Sequence, residues 1–228
     1  MSKLYIVATP IGNLADITYR AISVLNEVDI ILAEDTRVAS KLLSHYEIKK
    51  KVESFHAHTK EDKIEKIINY LIDGKNIALV TDAGTPGISD PGAVLVRKVL
   101  EGKLKNVSII PIPGASALTT AISGSGIEMS TFSFFGFLPH KKGRETLFKK
   151  IAEEDEVFIF YESPHRILKT IESLEKFLEP EREVVVAREL SKIYEEFVRG
   201  TTLEVKAHFA NNPEKVRGEF VVIVGKKN

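Results

Sequence analysis

The chain has 228 residues, enough for one large domain or two small ones, and 43% of its residues are apolar. Its 32 basic and 32 acidic side chains give a net charge of zero, which argues against a protein that coats nucleic acid by neutralising phosphates. It contains no cysteine, which excludes disulfides, thiolate metal sites and cysteine nucleophiles.

Short β-branched runs alternate with helical patterns in the first half of the chain. The runs predict buried strands at 4–8, 28–33, 77–80 and 107–110. The patterns between them predict helices at 18–26, 36–45, 60–74 and 91–102. Such alternation is typical of parallel βαβ units, so we expect an α/β fold.

Two prolines and a glycine between positions 110 and 114 indicate a domain boundary. We therefore expect an N-terminal α/β domain at 1–112 and a C-terminal α/β domain at 113–228. The second half predicts strands at 132–135, 157–160, 184–187, 196–199 and 220–224, and helices at 115–123, 144–152, 164–177 and 201–210. Strands 184–187 and 196–199 are close enough to be antiparallel neighbours, so this sheet should be mixed.

No apolar stretch approaches the roughly 20 residues of a membrane-spanning helix. The apolar run near the start of the chain, 4–8, is too short for a signal peptide. We therefore expect a soluble, cytoplasmic protein.

Six polar clusters directly follow predicted strands. They are TPIGN (9–13), EDTR (34–37), DAGTPGISDPG (82–92), PGAS (113–116), YESPHR (161–166) and RELSK (188–192). Ligands of open α/β sheets bind outside the carboxyl ends of strands, so these clusters predict a shared site. The glycines of 82–92 let the backbone approach a ligand; the alternative is a rigid turn before a helix capped by Ser89 or Asp90.

The usual nucleotide-binding glycine patterns are absent. Neither G-x-x-x-x-G-K-[ST] nor a G-x-G-x-x-G after the first strand occurs. Kinase and nicotinamide-dehydrogenase functions therefore lose their main support.

Eight stretches from the first predicted strand to the last carry a family resemblance. They are VATPIGNLADIT (7–18), AEDTR (33–37), TDAGTPGISDPG (81–92), PGASAL (113–118), GFLPHKKGR (136–144), YESPHRIL (161–168), ARELSKIYEE (187–196) and RGEFVV (217–222). With them the chain resembles the small-subunit rRNA cytidine 2′-O-methyltransferase family of the tetrapyrrole methylase superfamily. Two departures are Thr59, where relatives often carry asparagine, and Ser191, where threonine is common.

The resemblance implies a two-domain tetrapyrrole-methylase-like fold, a homodimer, and S-adenosylmethionine bound in a cleft between the domains. The implied acceptor is the ribose of a cytidine in 16S ribosomal RNA of the small subunit. The implied donor contacts are Pro10, Asp82, Ala83, Gly84, Thr85, Pro86, Ile88, Asp90, Ala115, Ser116, Tyr161, Ala187, Arg188, Gly218 and Glu219.

A ribose hydroxyl is a weak nucleophile, so its methylation needs a base or a cation that stabilises the developing alkoxide. The predicted catalytic candidates are Glu34, Asp35, Arg37, Glu162, Arg188 and Lys192, with Tyr161, His165 and Glu189 also considered. The Asp35–Arg37 pair equally suits a salt-bridged helix cap, and Glu162 with His165 equally suits a cap for the helix near Pro164.

A basic segment at 141–150 is the best candidate for RNA contact. The predicted contacts are Lys141, Lys142, Arg144, His165 and Arg166; the alternative is a solvated charged face. His56 and His58 would share a face if their segment were a strand, but no third ligand is evident, and we expect no metal.

Two other functions stay open from the sequence. One is methylation of a tetrapyrrole or another small acceptor, and the other is a non-catalytic ribosome-associated RNA-binding protein.

Overall fold

The computed structural model describes residues 1–82, 84–102, 104 and 106–227. The chain divides into two compact units, Met1–Ser116 and Ala117–Asn228. The sequence placed the boundary a few residues earlier, after 112.

Unit 1 contains a parallel sheet of five strands. They are β1 (Ser2–Val7), β2 (Ile30–Ala33), β3 (Lys51–Ser54), β4 (Ile77–Val80) and β5 (Val107–Ile112). The strand order is β3-β2-β4-β1-β5, and every neighbouring pair is parallel. The predicted parallel α/β architecture is therefore confirmed, with β3 as an additional edge strand.

Four helices cover the two faces of this sheet. They are α1 (Tyr19–Glu27), α2 (Thr36–His45), α3 (Glu61–Ile72) and α4 (Gly92–Glu101). Alternate strand residues point to opposite faces: Ile31 packs in the cluster that contains residues of α1 and α2, whereas Leu32 packs in the cluster that contains residues of α3 and α4. Burial on both faces explains why the inner strands β2 and β4 are continuous apolar runs.

Unit 2 contains a mixed sheet of five strands. They are β6 (Phe132–Phe137), β7 (Val157–Glu162), β8 (Glu183–Arg188), β9 (Glu196–Thr201) and β10 (Phe220–Val224). The order is β6-β7-β10-β8-β9, with β6 and β7 parallel and the remaining pairs antiparallel. The predicted mixed sheet and the antiparallel pairing of β8 with β9 are confirmed.

The helices of unit 2 are α5 (Ala117–Ser125), α6 (Arg144–Glu153), α7 (Ile167–Phe177) and α8 (Thr202–Asn211). One face of the sheet packs against α6, α7 and α8 in a single apolar cluster. Helix α7 begins at Ile167, three residues after the predicted start, because residues 164–166 form a turn closed by the Arg166 amide on the Ser163 carbonyl at 3.0 Å. None of the helices in the described part of the chain combines the length and apolar character that a bilayer span requires.

Candidate active site

The strand-terminal loops of unit 1 meet at one edge of its sheet, because parallel strands end on the same side. The amide of Thr9, after β1, donates to the Gly84 carbonyl at 3.0 Å, and the Gly84 amide donates back to the Thr9 carbonyl at 3.1 Å. The Thr85 hydroxyl donates to the Ala115 carbonyl, after β5, at 3.0 Å. Three of the predicted clusters are thereby joined by hydrogen bonds.

Gly84 is the residue that makes this junction possible. Its φ of +83° lies in the left-handed region, which favours glycine. A Cβ at this position would lie 3.1 Å from Cγ2 of Ile11 and 3.4 Å from the Ala115 carbonyl oxygen. Any side chain here would therefore strain the backbone and crowd the two neighbouring loops.

Asp90 organises the rest of the loop that follows β4. Its carboxylate accepts hydrogen bonds from the amides of Gly87, Ile88 and Gly92, at 2.7, 3.1 and 2.6 Å. Gly92 is the first residue of α4, so Asp90 satisfies the start of that helix, although Pro91 holds the cap position itself. The loop is thus held rigid by its own carboxylate, and these three amides point at Asp90.

The cluster that follows β2 is joined to the same edge. The Asp35 amide donates to Oδ1 of Asp82 at 2.9 Å. Burial raises the pKa of Glu34, and the negative charges of Asp82 and Asp90 raise it further. Glu34 therefore accepts a proton more readily than an ordinary glutamate does.

Asp35, in contrast to Glu34, is held in its ionised form. It is the N-cap of α2, and its carboxylate accepts the Arg37 amide at 2.8 Å and the Arg37 guanidinium at 2.5 Å. Hydrogen bonds from the side chain and then the amide of Arg37 lower the pKa of Asp35 to about 2. The helix-cap alternative is what the structure shows, and an ionised, fully engaged Asp35 is poorly suited to act as a base.

The unit 1 donor-contact candidates lie in these joined loops. They are Pro10, Asp82, Gly84, Thr85, Pro86, Ile88, Asp90, Ala115 and Ser116. Ala83 lies outside the described residues. Their contact with a methyl donor stays a prediction.

In unit 2, Glu162 at the end of β7 is a buried hub with a fully inaccessible side chain. One carboxylate oxygen accepts the Ser163 amide at 2.8 Å and lies 2.8 Å from Nε of Arg166. The other accepts the Thr170 hydroxyl at 2.7 Å and lies 3.6 Å from the Arg144 guanidinium. Glu162 does not cap α7: Arg166 occupies the N-cap position, and its side chain forms no capping hydrogen bond to the helix.

The two arginines extend this hub to the loop that follows β6. Arg166 donates to the Leu138 carbonyl at 2.8 Å, and Arg144 donates to the Pro139 carbonyl at 3.3 Å. Both guanidiniums are thus turned inward and engaged with protein groups, and their contact with RNA stays a prediction. Lys141, Lys142 and His165 are exposed, as an RNA contact requires.

Tyr161 precedes the hub on β7. Its ring packs edge-on against Phe134, at 5.0 Å between ring centres, and against Phe137, at 5.5 Å. These three rings form an aromatic surface along the β6–β7 edge of the sheet, so Tyr161 is fixed in position.

At the end of β8, Arg188 and Ala187 are both buried, but their side chains point to opposite faces of the sheet. The Arg188 guanidinium donates to the carbonyls of Lys215 at 2.9 Å and Tyr194 at 3.0 Å. It therefore fixes two loops in place. The contacts of Ala187 and Arg188 with a methyl donor stay predictions.

Lys192 lies in one of these loops. Its Nζ is 2.8 Å from carboxylate oxygens of both Glu189 and Glu219. Burial lowers the pKa of Lys192, but the two carboxylates outweigh it and the net pKa is raised. Lys192 is consequently a positioned cation at neutral pH, able to stabilise a developing alkoxide and unable to accept a proton.

The backbone around Lys192 adopts left-handed conformations. Glu189 has φ +51° and Gly218 has φ +88°. A Cβ at Gly218 would collide with the Glu189 carboxylate. Gly218 is therefore required so that the two strand-terminal loops can approach each other.

His56 and His58 do not share a strand face, which corrects the conditional expectation. Strand β3 ends at Ser54, and the His58 amide donates to Nδ1 of His56 at 3.2 Å within a turn. Among the described residues, no three His, Cys, Asp or Glu side chains are grouped as a metal site would require.

The protein named ribosomal RNA small subunit methyltransferase I of Haemophilus influenzae is 48% identical over 222 residues, covering 97% of this chain and 77% of the relative. The protein of the same name from Thermotoga maritima is 44% identical over 227 residues, covering 100% of both chains. The chain belongs to the ribosomal RNA small subunit methyltransferase I family. It is therefore a methyltransferase, and the family resemblance is confirmed.

A wider relationship is also evident. The model of the family Tetrapyrrole (Corrin/Porphyrin) Methylases matches residues 3–206. Solved structures of a cobalt precorrin-4 methyltransferase and of uroporphyrin-III C-methyltransferase from Thermus thermophilus give TM-scores of 0.65 and 0.66 at 19% and 16% identity. Each match covers 98% of this chain and 94% of the other chain. At such low identity they establish the fold alone, and they confirm the predicted tetrapyrrole-methylase-like fold.

Sequence reasoning about this family member missed several structural partners of the site. Thr170 was not singled out, although it hydrogen-bonds Glu162. Glu196 and Lys215, which pair at 2.6 Å beside Arg188, were also missed. Thr170 lies eight residues after Glu162, on a buried helix face, and a polar residue at such a position was the available signal. Lys215 lies in a polar loop that carries no such signal.

Proposed function

We propose that this chain transfers the methyl group of S-adenosylmethionine to the 2′-hydroxyl of a cytidine in 16S rRNA of the small ribosomal subunit. The observation that carries the proposal is the junction of strand-terminal loops around Gly84, in a chain whose relatives are named small-subunit rRNA methyltransferases. Following the family resemblance, we also propose that the enzyme is a cytoplasmic homodimer.

The residues of the unit 1 edge fit a sulfonium nucleoside. Hydrogen bonds around Gly84 and Thr85 hold the loops that follow β1, β4 and β5 together, so this edge presents its groups to a ligand in fixed positions. The carboxylates of Glu34 and Asp82 offer negative charge to a cationic ligand. When bound, the donor supplies an electrophilic methyl group on a good leaving group, so the protein needs to align, desolvate and assist the acceptor.

Two side chains suit the acceptor chemistry. Glu34, with its raised pKa, is the carboxylate of the unit 1 edge best suited to accept the hydroxyl proton. In unit 2, Lys192 stays cationic and can stabilise the oxygen as it becomes negative. We assign neither role to Glu162 or Arg188, because their side chains are buried and engaged with protein groups.

The exposed Lys141 and Lys142 are proposed phosphate contacts, held in place by the Glu162 hub beneath their loop. Such contacts position RNA without reading its sequence.

The decisive experiment measures transfer of labelled methyl from S-adenosylmethionine to small subunits that lack the native modification, with naked rRNA and protein as controls. We expect label in RNA that blocks alkaline cleavage at one position. Donor binding without label in RNA would overturn the rRNA assignment and favour a small acceptor.

Two variants separate the donor and RNA surfaces. Gly84→Val should abolish donor binding measured by calorimetry, and normal binding would refute the placement of the donor. Changing both Lys141 and Lys142 to glutamate should raise KM for the subunit and spare donor binding. The same double change at Lys49 and Lys50 is the matched control, and equal effects of the two double variants would reject the loop 141–144 as the RNA contact.

A further inference from the structure

A polar pocket lies in unit 2 between the loop that joins β8 to β9 and the loop that precedes β10. Its volume is about 520 Å³, and it is lined by Arg188, Tyr194, Glu195, Glu196, Glu214, Lys215 and Arg217. This volume lies within the range of roughly 300–1,000 Å³ typical of small-molecule sites. None of these side chains has been given a role in the methyl transfer described above.

Three of the lining residues form a fixed frame. Nζ of Lys215 lies 2.6 Å from Oε1 of Glu196, and the Arg188 guanidinium lies 3.5 Å from Oε2 of the same carboxylate. Arg188 also donates to the Lys215 carbonyl at 2.9 Å. The frame ties β8, β9 and the loop before β10 together, so the floor of the pocket is pre-organised.

Three other lining residues, Tyr194, Glu214 and Arg217, are exposed to solvent. Tyr194 is 70% exposed. Within the described ranges of the chain, the carboxylate of Glu214 and the guanidinium of Arg217 form no hydrogen bond or ion pair. The pocket therefore offers an aromatic face, a hydrogen-bond acceptor and a forked hydrogen-bond donor.

The charges of the pocket indicate what kind of ligand it suits. Three basic and three acidic side chains line it, so it lacks the positive excess that attracts a phosphate. A neutral, flat ring that carries both donors and acceptors matches such a lining. Nucleobases have this chemistry, and in RNA recognition they stack on aromatic side chains while their edges are hydrogen-bonded.

We propose that this pocket binds the base of the nucleotide that is methylated, and that it selects a base with an exocyclic amine. Tyr194 stacks on the ring, Glu214 accepts a hydrogen bond from the amine, and Arg217 donates to the adjacent ring nitrogen or carbonyl. Uracil carries a carbonyl where cytosine carries the amine. Its carbonyl oxygen and the Glu214 carboxylate would face each other as two acceptors, with no hydrogen between them.

The chain segments that build the pocket support this assignment, which rests on the proposed function. Arg217, which lines the pocket, directly precedes Gly218, a predicted donor contact. Lys192, the proposed alkoxide-stabilising cation, lies in the same loop as Tyr194. A ribose placed beside Lys192 would therefore have its base within reach of the pocket.

The test compares four chains: wild type, Tyr194→Ala, Tyr194→Phe and Glu214→Gln. The acceptors are unmodified small subunits with cytidine or uridine at the methylated position. Tyr194→Ala should lower kcat/KM for the cytidine subunit roughly 5- to 150-fold, the equivalent of about 1–3 kcal/mol per stacked base. Tyr194→Phe should retain most of the activity, because the ring and not the hydroxyl is required.

Glu214→Gln should lower the preference for cytidine over uridine by about tenfold, because the glutamine amide can donate to the uracil carbonyl that a carboxylate repels, and base-edge contacts contribute roughly 1–3 kcal/mol of discrimination. S-adenosylmethionine binding, measured by calorimetry, should be unchanged in all variants. Tyr19→Ala is the matched control, because Tyr19 is 92% exposed and belongs to unit 1.

The outcomes separate this inference from the function on which it rests. No methyl transfer to RNA by the wild type would overturn both. Normal transfer by the wild type, with Tyr194→Ala behaving as Tyr19→Ala does and cytidine preference unchanged in Glu214→Gln, would overturn the pocket alone.

Discussion

Each unit carries a carboxylate that is paired with arginine where a strand ends, and the two ion pairs differ in how deeply they are buried. Asp35 follows β2 and binds Arg37, whose side chain is 87% exposed. Glu162 ends β7 and binds Arg166 and Arg144, with its own side chain wholly inaccessible. The first pair is local and caps one helix, whereas in the second Arg166 also binds the Leu138 carbonyl, which lies 28 residues away in the chain.

The same residue types after a strand therefore serve different purposes in the two units. An exposed ion pair contributes little to folding and leaves its neighbour, Glu34, available for chemistry. A buried carboxylate that satisfies two guanidiniums cannot be removed without leaving uncompensated charge. We therefore expect Glu162 to matter mainly for stability and for the position of the Lys141–Lys142 loop, and the Asp35 region mainly for activity.

The largest expected effect is that of Glu162→Ala. Two guanidiniums would lose their buried partner, so the free energy of unfolding should fall by about 3–5 kcal/mol. Urea denaturation with circular dichroism measures this change. A loss below about 1 kcal/mol, the range of exposed pairs, would erase the distinction between the two carboxylates.

A second substitution sharpens the same point. Arg144→Met in the Glu162→Ala background removes one of the orphaned cations while retaining apolar volume over Phe148. The double variant should therefore be more stable than Glu162→Ala alone, with a coupling energy of roughly 0.5–3 kcal/mol. Strict additivity in a double-mutant cycle would show that Arg144 and Glu162 do not interact.

Asp35→Ala should reduce stability less than Glu162→Ala does. It removes the cap of α2 but leaves the Arg37 side chain in solvent, where its charge needs no partner. Asp35→Ser should recover most of the loss, because serine caps helices well. Thermal unfolding of the three chains tests this, and failure of serine to restore stability would indicate that the ion pair rather than the cap is important.

The smallest effect that we expect is a dependence of folding stability on pH. The pKa of Asp35 is lowered from 3.8 to about 2, so its ionised form stabilises the folded state above pH 3.8. That contribution should be lost as the pH falls through about 2, where the folded-state carboxylate is protonated. The stability advantage of wild type over Asp35→Asn should shrink across this interval. A carboxyl titration by NMR with its midpoint near 3.8 would contradict the Asp35–Arg37 geometry.

The strands that the sequence predicted are those whose burial on both faces demands continuous apolar residues, such as β4. Strand β3 was missed because it is an edge strand with Lys51, Glu53 and Ser54 among its four residues. The start of α7 was placed too early because Pro164 is also common in turns, and here it belongs to one.

The location of the unit 1 edge was predictable, since parallel strands end on one side and their loops carry the functional groups. The burial of Glu162 and the inward turn of Arg144 were not predictable, because side-chain depth is set by which distant segments pack over it. The Tyr194 pocket was hidden for the same reason: its walls come from loops that are about twenty residues apart in the chain.

The position of β10 in its sheet has a consequence for how the chain folds as it leaves the ribosome. All five strands of unit 1 are synthesised before residue 117, so that unit can fold while translation continues. In unit 2, β10 lies between β7 and β8 and pairs with both, although it is translated after them. Until residues 220–224 emerge, β7 and β8 lack the strand that pairs with both, so the mixed sheet cannot close before β10 has been translated.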